Sequence, residues 1–228
     1  MNKRLLAIAS LVGPGLGLVD VGTDHGALPI HLAQSGYPGT LLATDIHEGP
    51  LRAGIRNAEA AGLSHRVRFL LCDGLELCPP DEIDTIVIAG MGGDTICGIL
   101  DRAEWTMDPR YTLILQPMTR FEVLRYWLTN NGYGIEQEHL VEDSGTIYQI
   151  LTARFGIDTV LSDAELFTGA SQLIRRDPLW PCFRERSIQR FERMIAGMQA
   201  GGREPGKRAL LESILEEWKG DARNGDRT

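Results

Sequence analysis

Four aspartates and two groups of glycines in the first hundred residues have the types and spacing to do chemistry. In LVDVGTDHGALPI, residues 18–30, Asp20, Gly22, Asp24 and Gly26 alternate with other residues just after a β-branched apolar run. Gly22 and Gly26 let the backbone turn tightly and approach a ligand, and helix-forming sequence follows at once. The spacing is G-x-x-x-G flanked by carboxylates, which differs from the G-x-G-x-x-G that cradles a dinucleotide pyrophosphate. Carboxylates repel phosphate and attract cations, so the turn suits a ligand with an ammonium or sulfonium group. A strand-to-helix turn that needs glycine for geometry alone is the plain alternative.

Three further stretches repeat the pattern of a strand delivering a polar or glycine-rich turn. TLLATD ends on Asp45, with Ile46 next, 21 residues beyond Asp24. An acid at the end of the second strand of an open α/β sheet commonly accepts hydrogen bonds from ribose hydroxyls. RVRFLL leads into Asp73 and Gly74, which could reach an adenine amino group or form an ordinary Asp-Gly turn. DTIVIA leads through Ala89 into GMGGD, residues 90–94, where backbone groups can approach something flat or bulky. No Lys-Ser/Thr follows, so this is not a nucleotide-hydrolysing P-loop.

These turns need a parallel sheet to position them. Strands are expected at 18–21, 40–45, 66–71, 84–89 and 111–116, the last capped by Pro117, with helices from His25, Gly49, Thr95 and Phe121. Gly134 to Val141 and Thr146 to Ala153 read as a closing hairpin, so the sheet ends antiparallel. Beyond residue 157 strands give way to helical periodicity in three segments, separated by Pro178 and Pro181 and by a turn at Gly201 to Gly206. The division expected is 1–156 for an α/β domain and 157–228 for an antiparallel helical appendage.

The net charge of −8 argues against indiscriminate nucleic-acid binding, but it is unevenly spread. Residues 1–150 hold ten Lys/Arg against nineteen Asp/Glu, whereas 175–208 hold nine against four. Arg184, Arg190 and Arg193, with Arg186 close by and Arg175 and Arg176 upstream, are expected to form a phosphate-facing stripe; a solvated helix face is the alternative. The four cysteines lack C-x-x-C spacing and read as buried thiols, with no metal expected. The apolar part of MNKRLLAIASLVGPG is brief and broken, so neither a signal peptide nor a membrane span is expected, and the protein is expected to be cytoplasmic.

RLLAIASLV (4–12), DVGTDHGALPI (20–30), EGPL (48–51), IAGMGG (88–93), LILQP (113–117) and GTIYQI (145–150) together resemble the bacterial tRNA (adenine-22) methyltransferase family, TrmK. The resemblance is strong over about residues 3–155 and loose in the tail. It implies a Rossmann-like class I methyltransferase sheet of seven strands, mostly parallel with an antiparallel last strand, followed by an α-helical coiled-coil-like domain. The implied activity is transfer of a methyl from S-adenosyl-L-methionine to ring nitrogen 1 of an adenine in the D-arm region of tRNA; separately, the sequence gives no sign of an obligate protein partner. By position Asp20, Gly22 and Asp24 would surround the methionyl end, Asp45 the ribose, and Asp73 and Gly74 the adenine, with Ile46 a further cofactor-binding residue. Ala89 to Gly93 would lie between cofactor and target base, and Arg4 and His25 match family positions near this cleft. Ala27 stands where the family often has an aromatic and Met118 where it often has Asn.

Adenine's ring nitrogen carries a lone pair in the neutral base and can attack a sulfonium methyl in line. The chemistry then rests on alignment and on oxygen acceptors near the adenine amino group, for which the carbonyls of Gly90, Met91 and Gly92, the amide of Gln116 or the carboxylate of Asp24 are candidates. A small-molecule methyltransferase and a non-catalytic cofactor-binding module remain as rivals.

Overall fold

In the computed structural model of the protein, which describes residues 1–201 and 205–225, seven strands form one sheet in the order β3-β2-β1-β4-β5-β7-β6. The strands are β1 (Gly17–Val21), β2 (Thr40–Asp45), β3 (Val67–Leu71), β4 (Thr85–Gly92), β5 (Thr112–Thr119), β6 (Tyr133–Asp143) and β7 (Thr146–Phe155). Every pairing from β3 to β5 is parallel, and β7 runs antiparallel between β5 and β6. Chain order reverses between β1 and β4, which opens a crevice at the carboxyl ends of those strands.

The central strands β1, β2, β4 and β5 are buried on both faces over most of their length, which explains their near-continuous apolar runs. Leu18, Leu41, Ala43, Val87, Ile114 and Ile150 pack with α1 (Lys3–Leu11), α2 (Ala27–Gln34) and α3 (Glu48–Ala60) on one side. The alternate residues, among them Val19, Leu42, Ile86, Ile88, Leu113 and Leu115, are equally buried and point to the other side, where α4 (Gly93–Asp101) and α5 (Phe121–Asn130) pack. Behind the hairpin the wholly buried Arg125 of α5 donates through Nε to Glu138 Oε1 (2.8 Å) and through Nη2 to Gln149 Oε1. Both partners come from β6 and β7, so α5 is locked to them by a desolvated ion pair.

Two extents differ from expectation. The first two glycines of GMGG do not leave the sheet: β4 continues as far as Gly92 with a bulge, pairing Met91 with Pro117 and Gly92 with Thr119, and Gly93 opens α4. Pro117 accordingly sits within β5 and does not cap it. Its missing N–H is tolerated because β7 pairs with β5 only as far as Leu115.

Contacts divide the chain into two compact units, residues 1–160 and 161 onward. The second contains α6 (Asp163–Thr168), α7 (Ser171–Ile174), α8 (Trp180–Gly201) and α9 (Pro205–Gly225). Phe191, Ile195, Leu211, Ile214, Leu215 and Trp218 form its core. Trp218, in the second half of α9, meets Trp180 at the start of α8 and Phe191 at its middle, so the two long helices are antiparallel. Pro181 does not separate helices as expected; it occupies the first turn of α8, where no N–H is needed. The centre of the turn expected at Gly201 to Gly206, residues 202–204, lies outside the described residues.

Candidate active site

The first turn leaves β1 at Val21 and is pinned to β2: the N–H groups of Gly22 and Thr23 both donate to Thr44 O, at 2.8 and 2.9 Å. Gly22 has φ +71°, a left-handed conformation that a side chain resists. His25 and Gly26 are left-handed too (φ +56° and +70°), so α2 begins only at Ala27, two residues later than expected. Opposite, the Met91 side chain reaches across from β4, and a Cβ at Gly22 would fall 2.1 Å from its methyl.

Between these turns is a cavity of about 320 Å³. Eight residues singled out in the sequence line it: Gly22, Asp45, Ile46, Asp73, Gly74, Ala89, Gly90 and Met91. Val21 at the end of β1, His47 before α3, and Thr95 and Ile99 in α4 line it as well and were not foreseen, because isolated residues of these types carry no local signal. Larger cavities, of about 430 and 440 Å³, lie around Asp84, Arg110 and Arg154 and around His65 and Arg68, away from both glycine turns.

The carboxylates occupy three environments. Asp20 is buried, and Thr23 Oγ1 donates to its Oδ2 at 2.6 Å. Burial pushes its pKa up to about 6; the Thr23 hydrogen bond and Arg4 oppose the rise, while the charges of Asp24 and Asp45 add to it. Asp45, at the end of β2, accepts the His47 N–H on Oδ1 at 2.7 Å. Asp73 is paired with Arg102 Nη2 at 2.9 Å, an exposed contact between residues 29 apart that spacing did not reveal.

Six expected site residues, Arg4, Asp20, Asp24, His25, Gly92 and Gln116, are not among those that line the cavity. Asp24 and His25 are exposed on the rim of the first turn, 3.5 Å from each other, because the left-handed His25 turns the chain outward before α2. Gln116, expected to offer an oxygen to the substrate, is wholly buried and fully engaged. Its Oε1 accepts from Arg4 Nη1 (2.6 Å), and its Nε2 donates to Pro117 O (2.8 Å) and faces Met118 Sδ (3.5 Å). Gly92 ends β4 and caps α4. The next residue, Gly93, is required by packing: a Cβ there would meet Arg120 O at 2.2 Å.

In the second unit the expected arginine stripe is only partly formed. At roughly 100° per residue along α8, Arg186, Arg190 and Arg193 share a face, while Arg184 projects from the opposite flank. Arg193 donates to Gln189 O, Arg190 lies over the Phe191 ring, and Arg175 is paired with Glu217 at 3.2 Å. Arg176 is exposed.

Among the described residues no three His, Cys, Asp or Glu side chains are grouped to hold a metal, and no helix is long and apolar enough to cross a membrane. The sheet order and a carboxylate-flanked cleft at its switch point define a Rossmann-type methyltransferase. Residues 1–151 match the model of a methyltransferase domain family. A tRNA (adenine(22)-N(1))-methyltransferase of Bacillus subtilis (strain 168) is 33% identical over 156 residues, which span 68% of this chain and 66% of that protein, a little under two thirds of its length. A candidate tRNA (m1A22) methyltransferase of Streptococcus pneumoniae, solved in complex with S-adenosyl-L-methionine, superposes with TM-score 0.81 at 32% identity, over 94% of this chain and 99% of that one. The crystal structure of B. subtilis TrmK, an m1A22 tRNA methyltransferase, superposes with TM-score 0.79 at 25% identity, over 96% of each chain. The chain belongs to the TrmK family.

Proposed function

We propose that this protein methylates ring nitrogen 1 of adenine 22 in tRNA, within the D-arm region, using S-adenosyl-L-methionine. The observation that carries the reading is the cleft itself: glycine-bearing stretches from β1 and β4 line one cavity with Asp45 and Asp73, Asp20 is buried two residues before Gly22, and no metal-holding group is found among the described residues. Its residues fit the cofactor. Gly22, at φ +71°, makes the tight turn at the cleft, and Asp45 has a carboxylate oxygen with no protein partner among the described residues, suited to ribose hydroxyls. Asp20 offers negative charge to an ammonium and Asp73 an acceptor to an adenine amino group.

When bound, S-adenosyl-L-methionine supplies an electrophilic methyl on a sulfonium. Asp20, Asp24 and Asp45 provide a negative field suited to the positive charge that moves from sulfur to the base. The bulged end of β4 holds carbonyls of Gly90 to Gly92 where the adenine amino group, more acidic in the product, can donate to them. Alignment supplies the remainder, and no general base is assigned. An adenine engaged in folded RNA must be extruded, at a cost of about a few kcal/mol. We assign Arg186, Arg190 and Arg193, together with Arg175, Arg176 and Arg184 on other faces of the helical unit beyond residue 156, to the tRNA backbone.

The test is methyl transfer from labelled S-adenosyl-L-methionine to unmodified tRNA with adenine at position 22, beside the same tRNA with guanine there and an Asp45→Ala control. Label only on the adenine-22 tRNA, lost in the variant, is expected. No label, despite measured cofactor binding and several tRNAs tried, would favour the small-molecule or non-catalytic reading.

A further inference from the structure

A cavity of about 430 Å³ lies at the end of the sheet opposite the cleft. Thr85 and Thr112 begin β4 and β5 there, paired with each other, and Thr152 of the antiparallel β7 lies beside them, paired with Ile114. The three threonines share the sheet face of Val87, Ile114 and Ile150, each two residues away in its own strand, so a row of hydroxyls continues a face that is otherwise apolar. Leu11 at the end of α1 and Pro14 just after it supply an apolar wall. The other end of that helix is tied to the hairpin of β6 and β7, where the Arg4 N–H donates to Asp143 Oδ2 at 3.3 Å.

Most polar groups around this cavity are engaged with one another. Thr85 Oγ1 donates to Asp84 Oδ1 (3.2 Å), and Asp84 Oδ2 accepts the Leu16 N–H (2.8 Å). Arg154 donates to Pro109 O (3.0 Å), Thr112 Oγ1 (2.9 Å) and Glu136 Oε2 (3.4 Å). Arg110 is held by Asp81 (3.4 Å), Asp108 (3.8 Å) and the Tyr111 hydroxyl. Three groups are left over. Thr152 is 5% exposed, yet its Oγ1 has no hydrogen-bond partner, which a buried hydroxyl rarely lacks. Glu136 and Gln137 are consecutive strand residues that would ordinarily face opposite sides; both line the cavity because β6 bulges there, Ile135 pairing with Ala153 and Gln137 with Thr152. Glu136 Oε1 has no protein partner among the described residues. Gln137 Oε1 accepts from His139 Nε2 at 2.9 Å, and its amide N–H groups have no partner among the described residues.

We infer that this cavity binds a small neutral ligand through a vicinal diol, as in a pentose or the ribose of a nucleoside. Two arginines and two carboxylates compensate each other in its lining, so the field selects neither an anion nor a cation. What remains is a carboxylate oxygen that accepts, an amide that donates and a hydroxyl that does either, and two adjacent hydroxyls complement that set. Leu11 and Pro14 face the ligand with apolar surface suited to the C–H side of a sugar ring. The site lies wholly within the sheet domain, at the far end of the strands from the cleft, and does not depend on the methyltransferase reading.

Nuclear magnetic resonance of the amide groups tests it, with S-adenosylhomocysteine present to keep the probes out of the cleft. The probes are D-ribose, uridine and the dideoxy analogue of uridine that lacks the diol. Ribose and uridine are expected to shift the Gln137 side-chain amide and the Thr152 main-chain amide with Kd of about 0.1–10 mM, and the dideoxy analogue to bind at least about tenfold more weakly. Uridine tighter than ribose by about tenfold assigns a nucleoside, and equal affinities assign the sugar alone. Thr152→Val keeps the shape and removes the unpartnered hydroxyl; it is expected to weaken ribose by about three- to tenfold while thermal unfolding stays at the wild-type midpoint or above. Glu136→Gln is expected to weaken ribose to a similar degree. No shift of either signal by ribose or uridine up to about 50 mM, equal binding of uridine and its dideoxy analogue, or unchanged ribose affinity in both variants overturns the inference. None of these outcomes bears on methyl transfer.

Discussion

Replacing Asp20 by asparagine should stabilise the protein and weaken its cofactor site, and the pH dependence of the gain is fixed by the structure. In the native state the Asp20 carboxyl has a pKa of about 6, against 3.8 for an unhindered side chain, chiefly because it is buried. Below about pH 4 both folded and unfolded states hold the proton, and burial of a neutral acid costs nothing in ionisation. Between about 4 and 6 the unfolded state has released the proton and the folded state has not, so the stability contributed by Asp20 falls as pH rises through the native value. Above that both are ionised and the native state bears the full cost of a desolvated charge. From this shift the cost is about 1.5 kcal/mol at pH 5 and about 3 kcal/mol at pH 8. Asparagine keeps an oxygen for Thr23 Oγ1 but cannot ionise. Any cost of its buried amide N–H is a constant offset, so the stability of Asp20→Asn relative to wild type should improve by about 1.5 kcal/mol between pH 5 and pH 8. Urea unfolding of both proteins at a series of pH values measures this directly. A difference that is flat with pH, or that favours wild type increasingly toward pH 8, would refute the assignment of a strained buried acid. Calorimetry on the same variant should show weaker binding of S-adenosylhomocysteine.

Gly22→Ala places a side chain at φ +71° and drives it into the Met91 methyl; we expect a loss of about 1–2 kcal/mol in urea unfolding together with weaker S-adenosylhomocysteine binding. Wild-type values on both counts would show that the first turn is not the tight cofactor turn described above. Joint replacement of Arg186, Arg190 and Arg193 by glutamine should weaken tRNA binding, reduce the slope of log affinity against log salt by about 2–3, and leave S-adenosylhomocysteine binding unchanged. An unaltered salt slope in filter-binding titrations would place the RNA contact elsewhere.

Much of the sheet domain was legible because its elements are simple in sequence. The runs around Val19, Leu42, Ile86 and Ile114 are apolar on both faces, and each delivers an acid or a glycine where a parallel sheet opens its crevice. Legibility failed where partners distant in sequence decide the outcome. GMGG and Pro117 read as the ends of strands, yet β4 and β5 sustain one another through a bulge that neither would support alone. Gln116 looked like a substrate contact until Arg4, 112 positions away, was seen to occupy its oxygen. Asp73 looked unattached, and Arg102 holds it. Placing Arg184 on one stripe with Arg190 and Arg193 failed for a different reason: residues 184 and 190 are six apart, about 240° around a helix, so their spacing alone sets them on different faces.

The tie between Arg4 and the hairpin also bears on when the site comes into being during synthesis. The contacts of Arg4 with Gln116 and Asp143 span 112 and 139 residues of sequence. A nascent chain that has emerged as far as β5 already carries every glycine turn of the cleft, but its first helix has no hairpin to dock on. Closing so long a loop is slow compared with forming the βα units between, so arrival of β6 and β7 is the step that completes the cleft. Until then the half-made sheet exposes β5 as an edge, and this is the interval in which the growing protein is most open to mispairing.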